Sequence, residues 1–344
     1  MKYMKKSFSN MKPYHSALIT DGIVLNANES TINPPKYIID KFYEEIKEVD
    51  FNRYPDMDEV ALCKAIAKRF NIDYKNVTCG VGSDELLEAT FKAVLEVNDC
   101  VLGFTPSFSM YKVFAEMVGA NYIPILGNDD MQFNIDDMIL SIKENNPKLV
   151  LICSPNNPTG QFFKKADVIK IIESTDALVI LDLAYIDFAY EDYSLISLEY
   201  DNVIAFRTFS KAMALPSMRV GYAISNSDNI DMINAVKAPY SVTTLSQIMA
   251  RIAIENIELY DEQIKLFKSE RARLYDGLIS LGFKAFKSEA NFIYVIMDDY
   301  YNDILLENKI YIRGFKSNHY RITVGKKEEN DKLLEVLSNA NCKR

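Results

Sequence analysis

Leu149-Val150-Leu151-Ile152-Cys153-Ser154-Pro155-Asn156-Asn157-Pro158-Thr159-Gly160 joins a wholly apolar run to a stiff polar turn. A run that is apolar at every position, rather than at alternate ones, suits a strand covered on both faces. The prolines and glycine that follow end the strand and form a tight turn. Further apolar runs flank it at Cys100–Gly103, Tyr122–Ile125, Leu178–Leu181, Val203–Phe206 and Val220–Ile224. Helix-like stretches at 84–95, 107–118 and 164–173 lie between them. Apolar strands alternating with helices predict an α/β unit over residues 45–240, with a mostly parallel central sheet flanked by helices.

After Pro239 the texture changes. One amphipathic helical pattern covers 243–281, and strand candidates follow at Asn291–Met297, Lys309–Arg313 and Tyr320–Val324. A helix over Lys326–Leu337 closes this smaller α+β unit, residues 241–344. Residues 1–44 read as an arm, with part of the smaller unit, that packs on that unit or on a second copy of the chain.

A chain of 344 residues with 49% hydrophobic and 25% charged residues has room for about two domains of ordinary globular composition. Its net charge of −9 and lack of dense basic runs argue against a nucleic-acid partner. Cys63, Cys79, Cys100, Cys153 and Cys342 are scattered, and only His15 and His319 could join them as metal ligands. Reduced thiols in a cytoplasm are the simpler reading, with no metal site expected. The lysines near Met1 have no apolar run behind them, so no signal peptide is read there, and no run is long enough to span a membrane.

In an open parallel sheet, ligands sit beyond the carboxyl ends of the strands. Lys211 follows Arg207-Thr208-Phe209-Ser210, and Arg219 stands eight residues further on. A deprotonated lysine amine bonds an aldehyde, and an arginine holds a phosphate with parallel hydrogen bonds. Pyridoxal 5'-phosphate (PLP) carries both groups. Such a pair on its own is more often solvated surface, so its neighbours decide. Thr78-Cys79-Gly80-Val81-Gly82-Ser83-Asp84-Glu85 reads as a turn opening a helix: either an anion site or an ordinary capped helix. Asp182 ends a buried strand, where a carboxylate needs a partner. One choice is the protonated pyridine nitrogen of PLP, with Tyr185 and Asn157 at the ring's phenolic oxygen. Arg313 and Arg321, on late strands, are either surface residues or clamps for substrate anions.

Together these residues resemble PLP-dependent aminotransferases of fold type I, and further motifs resemble the histidinol-phosphate aminotransferase subgroup. Those motifs are Pro13-Tyr14-His15-Ser16, Leu25-Asn26-Ala27-Asn28-Glu29, Asn52-Arg53-Tyr54-Pro55-Asp56, Ala238-Pro239-Tyr240, Ala290-Asn291-Phe292 and Tyr320-Arg321-Ile322-Thr323-Val324-Gly325. The resemblance implies that Lys211 bonds the cofactor and shuttles the proton, with Asp182 and Tyr185 as its catalytic partners. It places Phe108 on the ring face, and Ser83, Asp84, Ser210 and Arg219 around the phosphate. Tyr54 would reach that phosphate from the other subunit of a homodimer. Arg321 matches an α-carboxylate clamp, Arg313 and Tyr14 match contacts to a substrate phosphate, and Asn28 would line the entrance.

The implied reaction moves an amino group between a small-molecule donor, L-histidinol phosphate, and a 2-oxo acid such as 2-oxoglutarate. Three departures bear on the donor: Leu183 after the ring aspartate, Pro216-Ser217-Met218 before Arg219, and a short connection from Arg313 to Arg321. An aromatic aminotransferase and a threonine-phosphate decarboxylase remain open on the same scaffold. A PLP-binding regulator is the alternative from another class, and the short leader before Tyr14 argues against a DNA-binding appendage.

Overall fold

A computed structural model describes residues 19–342 together with Tyr3, Met4 and Phe8. Tyr14 lies outside the described residues. The strands, in chain order, are β1 (Ile23–Leu25), β2 (Val77–Val81), β3 (Cys100–Thr105), β4 (Asn121–Leu126), β5 (Leu149–Cys153) and β6 (Leu178–Asp182). They continue with β7 (Val203–Thr208), β8 (Val220–Ile224), β9 (Lys284–Ala285), β10 (Phe292–Ile296), β11 (Ile310–Gly314) and β12 (His319–Thr323).

The larger sheet runs β2-β8-β7-β6-β5-β3-β4, and β8 alone is antiparallel to its neighbours. The apolar run at β5 shows why it folds this way. Val150 and Ile152 enter a core with Leu102, Val179 and Leu181 on one face. Leu149, Leu151 and Cys153 enter a second core with Leu86, Phe91 and Phe206 on the other. Successive strand side chains point to opposite faces, so burial of both faces demands an unbroken apolar run. Full burial of each such side chain contributes roughly 1.5–3 kcal/mol.

The smaller sheet runs β1-β11-β12-β10-β9, and β1 pairs parallel with β11. The arm therefore supplies an edge strand to the C-terminal sheet. Helix Asp261–Ser280 buries Phe267, Leu274 and Leu278 on that sheet, and helix Lys327–Asn341 adds Leu333, Val336 and Leu337.

Two expectations change. The helical pattern over 243–281 is two helices, Thr244–Glu255 and Asp261–Ser280, separated at Asn256 by a 3-10 turn. The first buries Met249, Ala250 and Ile252 with Ile38, Leu62 and Tyr222, beside the larger sheet. The break lets one amphipathic pattern serve two cores. Thr78 to Val81, read as part of a turn, belongs to β2, and the helix begins at Gly82. Glycine's weak strand propensity is overridden there by pairing with β8.

Candidate active site

Five strand ends converge on one cavity of about 150 Å³. Asn157 follows β5, Asp182 and Tyr185 lie at the end of β6, and Ser210 and Lys211 follow β7. Because β8 runs the other way, its start, at Arg219, reaches the same edge as the end of β2.

Gly82 has φ +72°, and a Cβ there would stand 2.8 Å from Arg219 Nη2. A Cβ on Gly221 would stand only 2.1 Å from the Ser83 amide nitrogen. The two glycines let β8 and the first turn of helix Gly82–Val94 close around a small concave site. Its donors are the helix N-terminus and the Arg219 guanidinium, which holds Asp84 Oδ2 at 3.1 Å and stays half exposed. Amides at a positive helix end beside an arginine suit a phosphate. Pro216–Met218, the unusual stretch before Arg219, forms a 3-10 turn that sets Arg219 at φ 51°.

Lys211 Nζ donates to the carbonyls of Ala27 and Asn28 at 3.2 and 3.1 Å. Burial, then the nearby Arg321 guanidinium, brings its amine down to about 8, with Arg219 adding to the effect. Of the two arginines, Arg321 has the larger effect. A lysine so placed sheds its proton far more readily than a solvated one and can serve as nucleophile and base.

Asp182 is buried, and burial pushes its carboxyl up to about 6. Tyr111 Oη donates to Oδ2 at 2.5 Å and the Ala184 amide to Oδ1 at 3.1 Å, and both favour the ionised form. A cation set against this carboxylate would hold it charged. Leu183, where relatives' acidic residue was expected, is buried in the core and faces away from the cavity.

Asn157 Oδ1 accepts from Arg321 Nη1 at 2.6 Å, and Arg321 Nη2 donates to the Asn26 carbonyl at 2.7 Å. Arg313 and Arg321 are direct partners across the β11–β12 pair. Both border a groove of about 810 Å³ that adjoins the cavity and also carries Phe108, Phe114 and Phe315. The short connection noted in the sequence is the tight hairpin between β11 and β12.

Asn28, expected at an entrance, lines a small cavity beside Lys211, Asn157, Arg313 and Arg321, and is also a hydrogen-bonding hub, only 1% exposed. Its amide nitrogen Nδ2 donates to Tyr185 Oη at 2.9 Å, its backbone N–H donates to Thr323 Oγ1, and its carbonyl accepts from Lys211 and Asn291. Tyr185 packs edge-on against Phe292, and burial pushes its phenol up. Ser210 and Phe108 line the cavity as expected. Tyr54 does not line it: the ring is 81% exposed and stacks on Tyr240, centroids 4.8 Å apart.

The sequence reading missed Tyr111 and left Asn291 and Thr323 within motifs, without a role. Tyr111 had a usable signal, since it stands three residues after Phe108 and therefore on the same side of a helix start. It also missed the work of Arg207, which is 1% exposed and pairs with Asp187 at 2.5 Å and with Asp192. That network anchors β7 four residues before Lys211.

A buried lysine with a lowered amine, a carboxylate aimed into the same cavity and a phosphate cradle define an α/β enzyme of group transfer through a bound aldehyde cofactor. The aminotransferase class I and II family model matches residues 20–337. The histidinol-phosphate aminotransferase of Clostridium kluyveri is 33% identical over 98% of both chains. Histidinol-phosphate aminotransferase 1 of Carboxydothermus hydrogenoformans is 35% identical, again over 98% of each. The chain belongs to the class I and II aminotransferases. Its fold matches the Sinorhizobium meliloti histidinol-phosphate aminotransferase solved with pyridoxal 5'-phosphate, with TM-score 0.86 and 22% identity over 94% of this chain and 91% of that one.

Proposed function

We propose that this aminotransferase uses PLP to move an amino group between L-histidinol phosphate and a 2-oxo acid, 2-oxoglutarate being the expected acceptor. The observation that carries the substrate reading is the Arg313–Arg321 pair, direct cross-strand partners that both line the groove. Two arginines can hold two anionic groups, one a phosphate and one a carboxylate. The names of the similar curated proteins support the same donor.

The residues present fit PLP. The Ser83 and Asp84 amides, with Ser210 and Arg219, would take its phosphate, Asp182 its ring nitrogen, Asn157 and Tyr185 its ring oxygen, and Phe108 its face. When bound, PLP supplies an aldehyde for Lys211 and a ring that accepts electrons from the substrate α-carbon. The chain does the rest. Lys211, released as a neutral amine, takes the α-proton at Nζ and returns it on the other side of the exchange. Asp182 holds its negative charge beside the ring nitrogen. Arg321 keeps Asn157 in place while binding carboxylate, and Phe108 blocks water from one face.

A second reading rests on the groove's aromatic lining, Phe108, Phe114 and Phe315, which would also suit an aromatic amino-acid donor. Candidate donors added singly to the PLP-loaded protein, without any oxo acid, separate the cases. Loss of the lysine-bound cofactor's visible absorbance should be fastest with histidinol phosphate. Faster loss with phenylalanine or tyrosine would favour the second reading, and carbon dioxide released from threonine phosphate would mean a decarboxylase.

Exposed Tyr54, held by Tyr240, supports a homodimer in which Tyr54 reaches the partner's phosphate site. The two sheets support a division into an arm (1–44), a larger unit (45–240) and a smaller one (241–344), with helix Thr244–Glu255 moved to the larger unit. Among the described residues no helix is long and apolar enough to cross a membrane. The cytoplasmic location belongs to the same reading, in which Cys63 and Cys79, sulfurs 3.8 Å apart, would stand as thiols.

A further inference from the structure

We propose that Tyr111 is a positioning residue for the cofactor ring, acting through Asp182 to keep the ring nitrogen protonated; this rests on the PLP reading above. Three observations carry it. The Tyr111 hydroxyl donates to Asp182 Oδ2 at 2.5 Å while the Ala184 amide donates to Oδ1 at 3.1 Å. One donor on each oxygen fixes the plane of the carboxylate and leaves it acceptor capacity for a further N–H. Tyr111 and Asp182 are 2% and 5% exposed, so no bulk water competes for either partner.

The third observation joins the ring's two contacts. Tyr111 lies edge-on to Phe108, with centroids 5.5 Å apart and planes at 83°. Phe108 precedes helix Met110–Val118 and Tyr111 sits in its first turn. One side chain therefore sets both the residue beneath the ring and the partner of its nitrogen. Burial pushes the Tyr111 phenol upward, so it remains an O–H donor and never competes as a second anion. A tyrosine that merely filled the core would need its ring alone.

Tyr111→Phe keeps the ring and its contact with Phe108 and deletes only the donor. The holoprotein is loaded with PLP labelled with nitrogen-15 in the ring, and two quantities are read: the ring-nitrogen resonance and the affinity for PLP. In Y111F the affinity should fall about tenfold, as for loss of a hydrogen bond to a charged group, and the resonance should move toward that of neutral pyridine. D182N should move it further, and Y111F added to D182N should change neither quantity again. Wild-type affinity and resonance in Y111F overturn the inference, as do additive losses in the double variant, which would mark a packing role. Should Y111F not fold, Tyr111→His restores a donor; retained affinity and resonance support the inference and loss of both overturns it. Failure of the wild-type protein to take up PLP overturns the cofactor reading itself, and this inference with it.

Discussion

Arg321 of β12 donates to Asn157 Oδ1 at 2.6 Å, tying the smaller sheet to the turn after β5 of the larger one. The same guanidinium holds the Asn26 carbonyl and is the cation that most lowers the Lys211 amine. In the proposed function, one side chain would thus couple the substrate anion, the ring-oxygen donor and the catalytic amine. Replacing Arg321 with lysine should raise KM for the 2-oxo acid and also shift the visible spectrum of the bound cofactor. A change in KM alone would mean that Asn157 holds its place without Arg321.

Lys211→Ala removes nucleophile and base together. Turnover should fall by at least ~10³-fold, in the upper range for loss of a positioned acid–base group, and the lysine-bound absorbance should vanish. Steady-state assay and an absorbance scan of the loaded protein check both. Wild-type turnover in this variant would sink the assignment of Lys211.

The same lysine should cost the unliganded fold stability. Burial lowers its amine from the usual 10.5 to about 8. Between those values the unfolded chain holds a proton that the folded chain has lost, so stability rises with pH across that window. Below about 8 the penalty is fully present. Lys211→Met should therefore stabilise the cofactor-free protein at neutral pH by on the order of 1 kcal/mol. The gain should shrink as pH climbs toward 10.5 in urea titrations.

Arg313→Leu should weaken a phosphorylated donor far more than a neutral aromatic one. Loss of a charge-assisted contact corresponds to roughly tenfold to a hundredfold in kcat/KM. Equal losses for both donors would remove Arg313 from phosphate recognition.

Gly221→Ala puts a methyl 2.1 Å from the Ser83 amide nitrogen, and the obstacle is backbone, which cannot swing aside. The first turn of helix Gly82–Val94 must retreat from β8. The expected cost is about 1–3 kcal/mol of stability, with affinity for PLP reduced more than affinity for pyridoxal, which lacks the phosphate. Calorimetry and equilibrium dialysis read the two effects separately.

Arg207→Met leaves Asp187 and Asp192 without the guanidinium that pairs with both. Removing one member of a buried ion pair typically costs ~3–5 kcal/mol. A chemical denaturation midpoint close to that of the wild type would show the network to be dispensable.

The sequence disclosed the site more fully than the boundaries. Asp182, Lys211 and the Ser154–Gly160 turn are unusual residues at the ends of apolar strands, and a polar group in such a place has few structural explanations. The larger sheet was legible because Leu149–Cys153 is apolar on both faces. Strand β2 was not: its glycine reads locally as a turn, and only pairing with β8 makes it a strand. Asn28 carries no local sign of burial, because its partners Tyr185, Lys211, Asn291 and Thr323 lie 157 to 295 residues away. Nor does a helical period show which core it serves, so the break at Asn256 had to be seen in three dimensions.

The parallel pairing of Ile23–Leu25 with Ile310–Ile312 has a consequence for synthesis. The first strand leaves the ribosome long before its neighbour exists, and Ala27 and Asn28, which receive the Lys211 amine, lie just beyond it. A nascent chain that has already built the larger sheet still lacks a settled catalytic amine until the last few dozen residues emerge. Any product truncated before β11 should accordingly be catalytically silent, however well its larger sheet has formed.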